Sequence, residues 1–270
     1  MSTVTASTVV LASSCHAGSD CGFPAPSLDS FNFKAIFYIG SIGIYKPELL
    51  AVICTALVLW FFWAAFRSPK LVPRGAQNIG ELGYLFVRDQ IARPMIGKNG
   101  DRFVPFLVSL FFFVWSMNLM SIIPIAQLPV TSFIAFPASL MIMVYFTYWY
   151  QAIKHQGFLG FLKNIVPKGV PWPVLIILVP VEWARVFLIQ PFTLMVRLFA
   201  NMFAGHLLLL TFTIATWYLA SATFSALFAA GSAVMVVVLT GFEMFIQALQ
   251  AYIFTMLTAQ YIGEGVQAAH

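Results

Sequence analysis

The stretch Pro191–Phe212, PFTLMVRLFANMFAGHLLLLTF, holds a single fixed charge among apolar residues, and the next formal charge after Arg197 is Glu243. A guanidinium at bilayer depth costs at least about 2.5–3.5 kcal/mol. Arginine cannot escape that cost by losing its proton. A carboxylate, a polar cavity or water must therefore compensate Arg197, and a chain that keeps it there handles charge inside a membrane. The bland alternative is a structural arginine bonded to backbone carbonyls.

The rest of the chain fits that setting. Of its 270 residues 61% are hydrophobic and only 9% charged, with a mean hydropathy of +0.90, whereas soluble domains carry about 25% charged residues. Leu49–Phe66 and Phe103–Ala152 carry no charge, and Leu198–Phe242 carries only His206. A spanning helix needs roughly 20 apolar residues. These windows predict an all-α membrane protein with about five transmembrane helices, at 48–67, 103–124, 131–153, 176–219 and 223–266. The last two are expected to be long, tilted and antiparallel. Pro180 and Pro191 should bend the fourth, and Gly263 and Gly265 should mark the end of the fifth. In residues 78–97, Ile79, Leu82, Leu85 and Phe86 alternate with Glu81, Arg88, Asp89 and Arg93. That pattern reads as one amphipathic helix on the membrane surface, with an ordinary inter-span loop as the alternative. Residues 34–270 form a single transmembrane domain in this reading.

Basic residues set the orientation. Arg67, Lys70, Arg74, Arg88, Arg93, Lys98 and Arg102 lie between the first two spans, and Lys154, Lys163 and Lys168 between the third and fourth. The other side has only Lys34 and Lys46. The positive-inside rule then places the amino terminus outside and the carboxyl terminus in the cytoplasm. Residues 1–33 lack any basic residue, so neither a secretory signal nor a transit peptide is expected there. They read as an external disordered tail. Cys15 and Cys21 within it are two ordinary thiols or a small disulfide loop. Cys54 reads as a packing residue. The Phe111–Phe113 run is expected to face lipid or to pack, and the Trp and Tyr of Tyr145–Tyr150 to form an interfacial belt. Three cysteines and four scattered histidines give no metal-ligand spacing. With no phosphate-cradling glycine loop, neither a cofactor nor nucleotide chemistry is expected. The basic pI of about 9.2 reflects the loop bias and not a nucleic-acid partner.

Polar residues gather in the final third: Arg197, Asn201 and His206 on the fourth span, Glu243, Gln247 and Gln250 on the fifth. Asn201 shares a helix face with Arg197. His206, nine residues on, is on the opposite face and further outward. Antiparallel packing would bring His206 and Glu243 together toward the outside, and Arg197, Asn201 and Gln250 together near the middle. Two proton-exchanging groups beside a fixed cation are the beginnings of a relay that stops at a barrier. Taken singly, His206 is also readable as an interhelical hydrogen-bonding histidine, and Gln247 and Gln250 as helix bridges. Glu182 and Arg185, three apart, are placed to pair. The small-residue runs Ala200–Gly205 and Ala220–Ser232 permit close helix approach.

The blocks Arg197-Leu198-Phe199-Ala200-Asn201, Ala204-Gly205-His206 and Leu249-Gln250-Ala251-Tyr252-Ile253-Phe254 resemble subunit a of the F-type ATP synthases, and Cys21–Ser27, Val104–Gln127 and Gln247–Phe254 are similar to its versions in actinobacterial-type bacteria. The resemblance covers the helix order and most of the chain beyond its first 30 or so residues. It implies a non-catalytic, proton-conducting stator subunit in a bacterial plasma membrane, working against a ring of c subunits and beside b-type peripheral stalk subunits. By resemblance, Arg197 faces the ring and separates two aqueous half-channels. His206 and Glu243 are the acid–base pair of the outer one, Asn201 and Gln250 the polar neighbours of the arginine, and Gln247 a further polar residue of the path. Glu182 falls about one residue from the family's acidic position at the inner half-channel. Protons are expected to be the transported ion, because the last two helices show no cluster of carboxylate, hydroxyl and carbonyl ligands. The alternatives are a secondary transporter, for which no internal repeat is visible, and an assembly scaffold, which leaves Arg197 uncompensated.

Overall fold

The computed structural model describes Phe23 and residues 37–39, 42–67, 69–70, 72–123, 128–165, 171–220 and 225–267. The expected tail, its two cysteines and the end of the 103–124 span lie outside them, Phe23 and Ile123 excepted. Phe23 meets Tyr218 edge-on, with ring centroids 5.6 Å apart. A short antiparallel hairpin opens the continuous part, pairing β1 (Phe37–Ile39) with β2 (Ile42–Ile44). The rest of the regular structure among the described residues is helical, as expected, and strands of three residues leave no alternation to read.

Helix α1 (Lys46–Phe66) carries Pro47 in its first turn, where the missing N–H costs nothing. The Glu48 carboxylate accepts the Tyr45 backbone N–H at 3.2 Å. The amphipathic segment is present as α2 (Ala76–Val87), a π-helical turn (Arg88–Ala92) and α3 (Arg93–Ile96). Ile79 and Leu82 are exposed on it, while Val87, Ile91 and Ile96 enter the core. An ion-pair chain ties its end to the next element: Arg88 holds Asp89, and Arg93 reaches both Asp89 at 3.2 Å and Asp101 at 3.0 Å. The Arg88 guanidinium keeps the Asp89 carboxyl below the usual carboxylate range.

A 3-10 turn (Lys98–Phe103) leads into α4 (Val104–Leu119). Then come α5 (Ala135–Gln156), the short α6 (Phe158–Asn164), α7 (Trp172–Ala184), a second π turn (Arg185–Ile189), α8 (Gln190–Leu219) and α9 (Ser225–Gln267). Among the described residues, four helices are long and apolar enough to cross a membrane: Lys46–Phe66, Gly100–Leu119, Trp172–Leu219 and Ala226–Val266. The fifth expected span, 131–153, corresponds to α5. It has 22 residues, but Thr147, Tyr148, Gln151 and Lys154 make its second half too polar to join those four. At 1.5 Å per residue, the 43 residues of α9 run about 65 Å, roughly twice the hydrocarbon thickness. It can remain in the bilayer only if steeply inclined.

Three expectations change form here. Pro191 bends the fourth span by a π turn and not by a break. It has no N–H for the carbonyl four residues back, and the preceding turn widens so that the Gln190 N–H reaches the Arg185 carbonyl. Pro180 is carried inside α7. Tyr145 and Tyr148 do not join the interfacial belt. Both are buried, and each ring packs against Tyr261, whereas Trp149 and Tyr150 stay exposed. Helix α9 ends at Gln267, near Gly263 and Gly265 as expected, but the two glycines do more than mark that end. They are where it touches its neighbours, Gly263 against the Met95 carbonyl and Gly265 against Ala152 and Tyr148.

The core lies where α9 packs against α8, α5, α4 and α3. Cys54 is fully buried in it, as a packing residue, with its thiol 3.7 Å from the Ser116 carbonyl. Phe111 is buried and Phe112 stacks edge-on against Phe62, so this run packs. The α8–α9 hairpin closes through its small residues: Ser232 donates to the Phe212 carbonyl at 2.9 Å and accepts from Thr216 at 3.0 Å.

Candidate functional site in the α8–α9 pair

Helix α8 presents Arg197, Asn201 and His206, and α9 presents Glu243, Gln247 and Gln250. No proline or charged pair interrupts either run, so helical spacing alone fixes the faces. Two members of the expected middle group meet: the Asn201 amide donates to Gln250 Oε1 at 2.7 Å, joining the two helices one turn along α8 from Arg197. Arg197 is half-buried, and no described residue forms an ion pair with it. Its charge therefore remains available to a group beyond the described residues.

Further out, Glu243 is 4% exposed and Gln247, one turn along α9, is fully buried. The Gln247 amide donates to Glu243 Oε1 at 3.3 Å. Gly205, adjacent to His206, lies against this carboxyl: a β-carbon there would sit 3.7 Å from Glu243 Oε1. That is ordinary contact distance, and His206 follows half-buried on the same turn. Glu182, in the last turn of α7, pairs at 2.6 Å with Arg185, the first residue of the π turn.

Residues 118–132 were not read as part of the site. Ser121, just past α4, donates to Glu243 Oε1 at 3.1 Å and accepts from Gln247 at 2.5 Å. Thr131 donates to Asn118 Oδ1 at 2.6 Å, and both are fully buried. Five polar residues (Asn118, Ser121, Gln127, Thr131 and Ser132) in an otherwise apolar stretch were the available signal. Ser121 also amends the argument for protons, because a hydroxyl does stand beside the carboxylate, delivered from outside the last two helices. It presents its hydrogen to Oε1, as does the Gln247 amide, an arrangement made for a carboxylate and not for a metal ion. No group of three or more His, Cys, Asp or Glu among the described residues is placed to hold a metal.

The Asn201–Gln250 bond gives a testable expectation. Asn201→Ala leaves Gln250, 2% exposed, without its partner and should cost about 1–3 kcal/mol. In a thermal melt of the detergent-solubilised complex, adding Gln250→Leu should recover part of that loss.

Comparisons with known proteins agree with the geometry. The family described as "ATP synthase A chain" matches residues 49–263. An "ATP synthase subunit a" from Streptomyces lividans is 51% identical over 261 residues, covering 95% of this chain and 92% of the relative. Proteins of the same description from Frankia alni and Rhodococcus erythropolis are each 42% identical, covering 90% and 89% of this chain and 86% and 89% of their own lengths. The chain belongs to the ATP synthase subunit a family.

Proposed function

We propose that the chain is the proton-conducting stator subunit of a bacterial F-type ATP synthase, forming two half-channels against a rotating ring of carboxylate-bearing c subunits. The observation that carries this reading is Arg197: a permanent cation inside the Trp172–Leu219 span, half-buried and without an ion-pair partner among the described residues. Such a charge is tolerable when a mobile carboxylate visits it.

A proton enters from outside by way of His206 and Glu243 and neutralises a ring carboxylate, which can then turn through lipid. After nearly a full rotation the carboxyl reaches the inner half-channel near Glu182. It gives up its proton there because Arg197 favours the ionised form. Each elementary charge crossing 100 mV contributes about 2.3 kcal/mol. Asn201 and Gln250 hold the two helices in register beside the arginine, and Gln247 steadies Glu243. Nucleotide chemistry belongs to other subunits, and b-type subunits anchor this one against the torque. The basic loops support a cytoplasmic carboxyl terminus in the plasma membrane. The Phe23–Tyr218 contact fits an amino terminus on the outer side, where α8 ends.

The test is purification through a tag on this chain, followed by reconstitution into vesicles. A ring of very small hydrophobic subunits should copurify. ATP-driven proton uptake should occur in wild type and fall to background in Glu243→Gln. An isolated chain that binds and carries a solute without any ring would overturn the reading.

A further inference from the structure

Glu243 is held unevenly. Ser121 Oγ lies 3.1 Å from its Oε1 and the Gln247 amide nitrogen 3.3 Å from the same oxygen, while Oε2 is buried and has no hydrogen-bond partner among the described residues. The hydrogens can be assigned from valence alone. A serine hydroxyl has one proton to donate. The Gln247 nitrogen, 2.5 Å from Ser121 Oγ, donates to it, which directs the hydroxyl proton to Glu243. The second amide hydrogen of Gln247 serves Oε1 as well. Both donors found among the described residues thus converge on one carboxylate oxygen.

We infer that Ser121 is a positioning residue for the proton relay: it fixes Glu243 Oε1 as the permanent acceptor and leaves Oε2 as the oxygen that gains and loses the transported proton. The inference rests on the proposed proton-conducting role and extends it to a residue outside the two channel helices. Ser121 is well placed for this task. It follows α4 directly, so its backbone is anchored by the packed helix behind it: its N–H bonds the Asn118 carbonyl at 3.1 Å. Asn118 is in turn tied to Thr131. The support reaches Glu243 from a part of the chain 122 residues away. Without the hydroxyl, the carboxyl could turn about its last torsion and exchange its two oxygens. Proton transfer depends on donor and acceptor lying within hydrogen-bond reach, and a displacement of about 1 Å costs up to about a hundredfold.

The experiment uses intact ATP synthase in vesicles, with ATP-driven proton uptake expressed per assembled complex. Ser121→Ala should slow uptake about tenfold. Ser121→Cys, close in size but a weak donor, should slow it severalfold and reads the same effect if the alanine variant assembles poorly. Ser121→Thr keeps the hydroxyl and should remain within about twofold of wild type. Wild-type uptake in both Ser121→Ala and Ser121→Cys, with Glu243→Gln inactive, would refute the positioning role and leave the channel reading standing. A loss confined to the amount of complex, or one equal in the alanine and threonine variants, would assign the hydroxyl to folding and overturn the inference. Wild-type uptake in Glu243→Gln would remove the channel reading itself, and this inference with it.

Discussion

ATP synthase carrying Arg197→Ala is expected to make no ATP from a proton gradient while its vesicles leak protons. The expectation follows from what the guanidinium does to a second positive charge. At an effective dielectric of about 20, two unit charges 4 Å apart repel by about 4 kcal/mol. That repulsion corresponds to nearly a thousandfold lower occupancy for a hydrated proton beside Arg197. With alanine the repulsion is gone, so protons can pass from one half-channel to the other without turning the ring. The same change removes the cation that favours ionisation of each arriving carboxyl, and productive rotation stops. Synthesis should fall to background, while passive flux through complexes stripped of their nucleotide-binding part rises by up to about three orders of magnitude. Arg197→Lys should also couple poorly, because a lysine at depth can lose its proton and lacks the planar fork. Dye-monitored leak and luciferase-monitored synthesis on the same vesicles read both quantities. Coupled pumping at the wild-type proton-to-ATP ratio in Arg197→Ala would remove the arginine from the barrier role.

The residues show why some of this was legible in sequence and some was not. Charge-free windows announced α1, α4, α8 and α9, because lipid excludes charge over a length fixed by the bilayer. Helical spacing was enough to place Asn201 beside Gln250, since both sit on uninterrupted helices whose faces follow from residue number. Ser121 escaped because the scattered polar residues of 118–132 do not show which of them meets Glu243. Its importance arises from a contact spanning 122 residues, and periodicity carries no information at that range. The π turn escaped for a related reason. A count at about 100° per residue assumes a uniform helix, and Arg185–Ile189 departs from it. Arg185 opens that widened turn, and Glu182 pairs with it from the last turn of α7. Tyr145 and Tyr148 were misassigned because composition suits both an interfacial belt and a buried ring cluster. Only the packing partner, Tyr261 on α9, decides between them.

Gly263→Ala is expected to be among the most damaging substitutions far from the proposed channel. A helix-stop reading would make it harmless or even favourable, since alanine improves on glycine inside a helix by about 1 kcal/mol. The packing reverses that sign. A β-carbon at 263 would collide with the Met95 carbonyl oxygen and crowd the Ile96 α-carbon at 3.4 Å. Both are backbone atoms at the end of α3, which cannot rotate away as a side-chain tip can. One helix must move, and α9 is also held by Gly265, whose carbonyl accepts the Gln156 amide at 2.7 Å and whose own β-carbon would meet Ala152 at 3.3 Å. Overpacking of this kind costs about 1–3 kcal/mol. For a domain of this size that corresponds to a fall in melting temperature of roughly 2–12 °C. The same shift would carry along the α9 helix bearing Glu243, Gln247 and Gln250, so proton uptake per complex should fall as well. Gly160→Ala is the matched control, because its nearest contact would be the Gln156 β-carbon at an ordinary 3.5 Å. A melt of the purified complex should separate the two, with Gly160→Ala unchanged or slightly stabilised. Equal melting temperatures for Gly263→Ala and wild type would mean that α9 and α3 do not approach as closely as described.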